Sequence, residues 1–199
     1  MTPTARRAAL GTLALGLLLS LGGCVPSAPA LRGAELLVSA KSHYLRFRAS
    51  IADVQRLLDR GAWESVTYGA VPVNWGHCPP SDHHYEMDRM GPIGVPPLID
   101  AIELAEWMQE DGWEDIRVQD AATDSIAWVV TARKPDGRVA DLTVLFYGYP
   151  AGVSVTAVST CTFGDEYEVW ALLTDPSGNL PDYPDAETPD DAPRYEWVD

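Results

Sequence analysis

The amino-acid sequence predicts an α+β domain of two layers, an antiparallel β-meander with two helices on one face. Three observations lead there. Residues 35–60 carry a helical periodicity, residues 97–111 carry a second, and residues 114–161 read as short alternating segments joined by tight turns.

In the first helix Leu37, Ala40, Tyr44, Phe47, Ile51, Val54 and Leu58 recur at steps of three and four, and Gly61 marks its end. The spacing also matches a heptad, but the bounded pattern suits a helix lying across a sheet better than a coiled coil. Residues 63–73 read as a strand, with Val66 and Tyr68 alternating against Ser65 and Thr67. Residues 74–95, rich in Pro, Gly and His, read as a loop. Pro96 and Pro97 suit the first turn of the second helix, whose inward stripe is expected at Leu98, Ile102, Ala105 and Met108, with Gly112 as its stop.

The meander follows. Residues 114–120 offer Ile116 and Val118, and residues 125–133 offer Ile126, Trp128 and Val130. Residues 134–137, Lys-Pro-Asp-Gly, form a turn signal. Residues 138–147 alternate Ala140, Leu142, Val144 and Phe146 against polar neighbours, and residues 153–161 alternate Val153, Val155 and Ala157 against Ser154 and Thr156. The first helix is basic (Lys41, Arg46, Arg48, Arg56, Arg60) and the second acidic (Asp100, Glu103, Glu106, Glu110, Asp111). The two helices either complement each other side by side or present independent solvated faces. Exposed pairs contribute only about 0–1 kcal/mol each.

The ends of the chain differ from this body. Arg6 and Arg7 precede an apolar run over residues 8–21, which is shorter than the roughly 20 residues a membrane span needs. A basic start, a short apolar middle and a small-residue exit describe a secretory signal peptide over residues 1–23. Its exit, Leu21-Gly22-Gly23-Cys24, resembles the lipobox of bacterial lipoproteins. That resemblance implies a diacylglycerol group on the Cys24 sulfur, cleavage after Gly23, and Cys24 as the first residue of the mature chain. Two acyl chains suffice for stable anchoring, at about 0.8 kcal/mol per buried methylene. Residues 24–33 would then be a lipid-anchored tether and residues 34–174 the α+β domain. Residues 175–199 hold five prolines and eight acids against Arg194 alone, the composition of a disordered tail. Tyr183, Tyr195 and Trp197 are unusual in such a segment.

Removing residues 1–23 leaves 176 residues with 12 basic and 29 acidic side chains. So acidic a chain repels the phosphates of nucleic acid, which is excluded as a partner class. After Cys24 only Cys78 and Cys161 remain. An even pair in an exported chain reads as a disulfide, with two free thiols as the alternative. The landmarks Cys24, Cys78-Pro79, Asp111-Gly112-Trp113, Asp136-Gly137-Arg138 and Ser159-Thr160-Cys161 together resemble uncharacterised lipoproteins of GC-rich Gram-positive bacteria. The resemblance spans most of the mature chain. It implies pairing of Cys78 with Cys161 and implies no activity.

The densest set of chemical groups is residues 77–88, where His77, Asp82, His83, His84 and Glu86 are potential metal ligands. His77, His83 and His84 match no zinc-site spacing, adjacent histidines do not converge easily on one ion, and Cys78 in a disulfide is withdrawn. No Gly-x-Ser-x-Gly, His-Glu-x-x-His or phosphate-cradling glycine loop is present, and no cofactor is indicated. Trp63, Trp75, Trp107, Trp113 and Trp128 read as core before they read as a ligand pocket.

The expected function is that of a lipid-anchored, extracytoplasmic, non-enzymatic domain on the cell membrane, binding a protein or small ligand at the cell envelope. The rivals are a metal-dependent enzyme or metal-binding protein using residues 77–88, and a carrier of an apolar ligand between sheet and helices. The anchoring expectation has a direct test. Cys24→Ser should release the chain from membranes or block its processing, read by cell fractionation and by the size of the product. A normally cleaved, membrane-bound Cys24→Ser protein would contradict it.

Overall fold

A computed structural model describes residues 31–65, 72–121, 123, 125–173 and 186–191. Cys24, the signal segment and most of residues 175–199 lie outside these described residues, as do Val66 and Tyr68. The described elements run α1 (Ala34–Leu58), β1 (Trp63–Ser65), β2 (Pro72–Val73), β3 (Asp82–Met90), α2 (Ala101–Glu110), β4 (Glu114–Asp120), β5 (Ile126–Lys134), β6 (Val139–Tyr147), β7 (Gly152–Ser159), β8 (Thr162–Phe163), α3 (Glu166–Leu173) and β9 (Ala186–Glu187). They form an α+β fold around an open antiparallel sheet of order β4-β5-β6-β7-β3-β1-β9, with β2 and β8 also paired to β3.

The expected layers are present. Alternate residues of the meander face the helices: Val130 and Ala132 of β5, Leu142, Val144 and Phe146 of β6, Val153, Val155 and Ala157 of β7. Tyr44, Phe47, Ile51, Val54 and Leu58 of α1 lie over this face with Leu104 and Met108 of α2, all in one buried cluster. Each such large side chain contributes about 1.5–3 kcal/mol when fully removed from water. The α1 stripe follows the periodicity of the sequence, except that Leu36 replaces Leu37 as its first buried member.

Four expectations are corrected. The largest concerns residues 74–95, expected to be a loop. Asp82–Met90 instead form the nine-residue strand β3 in the middle of the sheet. In α2 the buried stripe is Ala101, Leu104, Ala105 and Met108, while Leu98 and Ile102 face solvent. Asp100 caps that helix in a capping box with Glu103, worth about 1 kcal/mol, which starts it three residues beyond the prolines. A third helix, α3, packs Val169 against Leu36 and Ala40 and was not anticipated.

The fourth correction concerns the tail, expected to be disordered. Ala186 and Glu187 pair with β1 at the sheet edge. Glu187 Oε1 accepts a hydrogen bond from Arg89 Nε at 2.8 Å and lies 3.0 Å from Arg48 Nη2. Arg48 Nη1 donates to Gln55 Oε1 at 2.9 Å. Both guanidiniums are 3% exposed, so this carboxylate is a buried counter-ion between α1 and β3. Asp190 adds a bond from Arg56 at the surface. The arginines Arg48 and Arg56 of α1 thus pair with acids near the C-terminus rather than with α2, whose terminal Asp111 pairs with Lys134.

Truncation after Thr174 removes Glu187 and leaves two buried guanidiniums without that carboxylate. Losing one partner of a buried pair costs about 3–5 kcal/mol. Thermal unfolding of the truncated chain should therefore fall by about 10 °C, and Glu187→Gln in the full chain should fall in the same direction by less. An unchanged midpoint after truncation would contradict this role.

Candidate functional site

The histidine-rich segment folds into β3, where successive side chains point to opposite faces of the sheet. His83 lies under the helices, fully buried, with Nδ1 2.7 Å from the carbonyl of Gly164. Gly164 has φ +129, and a Cβ there would meet Leu36 at 2.3 Å, so no other residue suits this contact. His84 lies on the other face, between Cys78 Sγ (3.6 Å) and Glu86 Oε1 (3.0 Å). His77 is exposed and meets only the edge of the His84 ring. Tyr85 is buried and donates its hydroxyl to the Ala40 carbonyl. The structure therefore does not bring His77, His83 and His84 together. No group of three or more His, Cys, Asp or Glu side chains suited to a metal ion occurs among the described residues.

Cys78 and Cys161 form a disulfide with Cα atoms 5.7 Å apart. Cys161 sits where β7 ends and β8 begins, so β3 passes from one partner strand to the next at this point. The break would leave the Tyr85 backbone N–H without a ladder partner. Ser159 Oγ accepts it at 2.9 Å and donates to the Thr160 carbonyl. His43 Nε2 approaches the same oxygen at 3.3 Å. This serine–histidine pair resembles a nucleophile and its base in distance alone. Ser159 is 2% exposed and its hydroxyl proton is committed to a carbonyl, so the distance alone does not make a nucleophile.

Burial pushes the His43 pKa down to about 4, aided by the positive charges of Arg138 and Arg46. Its neighbour His83 is lowered for the same first reason. Beside His43 lies an open cleft of about 380 Å³, lined by Glu35, Ser39, Ser42 and Arg46 along α1 and closed by Arg138 and Thr162. The α1 members repeat at steps of four, three and four, a polar stripe running beside the buried one. That spacing was available in the sequence, but the partner wall is supplied by the β5–β6 turn from 87 residues away in the Ser50–Gly137 contact.

A second cleft of about 280 Å³ lies at the other end of the sheet, lined by Met90, Ile93, Tyr147, Tyr149, Pro150 and Gly152. Ile93 and Tyr149 stand out from it, 68% and 84% exposed. Both clefts are open to solvent and neither lies between sheet and helices, where a carried apolar ligand was expected. Of the five tryptophans named from the sequence, Trp63 and Trp113 are core, Trp107 is half-buried, Trp75 and Trp128 are exposed, and none of the five lines either cleft.

No helix among the described residues is long and apolar enough to cross a membrane. Comparison with protein-family models, with curated proteins and with solved structures returns no match.

The depressed histidines set a pH dependence. The unfolded chain takes up a proton near pH 6.5 that folded His43 refuses until about pH 4. Stability is therefore complete above pH 6.5 and declines as pH falls toward 4, by about 1.4 kcal/mol per pH unit for this group. His83 adds a loss of the same sign. Urea unfolding at pH 7.5 and pH 5 should show His43 alone costing about 2 kcal/mol. His43→Gln, which keeps a donor toward Ser159, should flatten the slope. An identical slope in that variant would refute the assignment.

Proposed function

We propose that the chain is a lipoprotein of the cell envelope, held outside the cytoplasmic membrane through Cys24, and that its domain works by binding a protein partner without catalysis. The observation that carries this reading is the apolar tip formed by Ile93 and Tyr149 around the second cleft. Exposed apolar residues clustered at an opening are the ordinary mark of a contact surface. Val95, Leu98 and Ile102 continue the exposure toward α2.

The position of the tip supports it. The N-terminal half of α1 packs beside Ser159 at the end of β7, while the C-terminal end of α1 reaches Leu98. Gly91 and Gly94 bond Val153 and Ala151 at the start of β7. The tip therefore lies at the opposite end of the sheet from the tether, separated by a 25-residue helix about 37 Å long. A lipid on Cys24 would hold the other end near the membrane and present the tip outward. Asp100, Glu103 and Glu106 adjoin it on α2, so the fitting partner offers apolar side chains flanked by basic ones.

The groups that sequence reading offered for chemistry are consumed by the fold: His83 on Gly164, His84 between Cys78 and Glu86, and both late cysteines in one bond. The test is site-specific photo-crosslinking of the anchored protein in its own cells. A probe at Ile93 or Tyr149 should give a discrete protein adduct, and a probe at Lys41 should not. Ile93→Asp should abolish the Tyr149 adduct while leaving the melting temperature unchanged. Absence of any adduct at the tip would sink the proposal.

A further inference from the structure

We infer that the cleft between α1 and the β5–β6 turn binds the phosphate group of a phosphate ester, through the guanidiniums of Arg46 and Arg138. This goes beyond the partner surface at the tip and is independent of it.

The first observation is charge. The chain has 29 acidic and 14 basic residues, and several cations meet a carboxylate. Arg48, Arg56, Arg89, Arg133 and Lys134 all do so. Arg46 and Arg138 line one cleft, and among the described residues neither makes an ion pair there, although Glu35 lies on the same wall. Two guanidiniums thus share one opening, where Glu35 is the one carboxylate among the lining residues.

The second observation is construction. Arg138 occupies the left-handed backbone region, φ 65 and ψ 23, where asparagine or glycine is the common choice. Its turn is pinned on both sides. Ser50 of α1 donates to the Gly137 carbonyl, and a Cβ on Gly137 would lie 2.2 Å from that hydroxyl. The Arg138 carbonyl accepts from the Thr160 N–H at 2.9 Å. The sheet and the helix together therefore fix where this arginine starts, opposite Arg46.

The third observation is the donor set. Two guanidiniums are joined by the hydroxyls of Ser39, Ser42 and Thr162 around the same space. A planar carboxylate accepts in one plane, whereas tetrahedral phosphate oxygens accept from several directions, and arginine forks match them bidentately. The volume of about 380 Å³ admits a phosphate with a small polar body attached. Glu35 at the rim repels a second anionic group and favours a ligand with a hydroxyl or ammonium substituent.

Such a group arises from a free metabolite or from a phospholipid headgroup, and the cleft lies at the tether end of α1, where either is within reach. The test uses the full chain carrying Cys24→Ser, so that no lipid of its own intervenes. Calorimetric titration with inorganic phosphate and with glycerol 3-phosphate is run beside flotation with vesicles of phosphatidylglycerol or of phosphatidylcholine alone. Arg46→Gln and Arg138→Asn are measured in parallel, the latter suiting the left-handed backbone. Glycerol 3-phosphate binding that weakens at least tenfold in both variants, without flotation, supports a soluble ligand. Flotation with phosphatidylglycerol only, lost in both variants, supports a headgroup. Absence of binding in every arm, or binding unchanged in both variants while they melt like the parent, overturns the inference.

Discussion

The architecture depends on β3 being hydrogen-bonded along both edges. The strands β1, β2, β7 and β8 all pair with it directly, and β9 reaches the sheet through β1. A strand enclosed in this way must satisfy its backbone groups and bury the side chains that face the helices, although its sequence, Asp-His-His-Tyr-Glu-Met-Asp-Arg-Met, is mostly polar. The surrounding elements solve this one residue at a time. Gly164 receives His83, Glu86 and Cys78 enclose His84, Ala40 receives Tyr85, and Glu187 neutralises Arg89. Ser159 supplies the bond that the gap between β7 and β8 would otherwise withhold.

The same necessity explains which parts of the fold could be read in the sequence. The α1 stripe, the meander from β4 to β7 and their mutual packing follow from local periodicity, because each face there is either apolar or wet. Strand β3 has no such signature. Its helix-facing residues are His83, Tyr85, Met87 and Arg89, and two of these four look like surface residues until their partners are known. A polar strand is legible only together with the distant groups that satisfy it. Strand β9 is two residues long, and the carboxylate that ties it to Arg48 and Arg89 is one that composition cannot distinguish from its acidic neighbours. The second half of the α2 stripe, Ala105 and Met108, was placed rightly, but Leu98 and Ile102 stood in for Ala101 and Leu104 because the prolines, rather than Asp100 with Glu103, were taken as the start.

The candidate sites show a similar division. The histidines attracted attention through density, yet alternation along a strand sends His83 and His84 to opposite faces. The clefts were not legible, since each combines residues from elements far apart in sequence. Arg46 and Arg138 are joined only through the packing of a turn on a helix. Ile93 and Tyr149 line one cleft because Gly94 bonds Ala151. Sequence periodicity reports on one element at a time, whereas an opening belongs to the space between elements.

The carboxylate that bridges Arg48 and Arg89 comes from a segment far later in the chain than either arginine. The helix and the central strand are therefore made well before the group that ties them together. Joining the edge strand to the sheet and placing a negative charge between two guanidiniums are one step, so the interior reaches its native balance of charge only when residue 187 has docked.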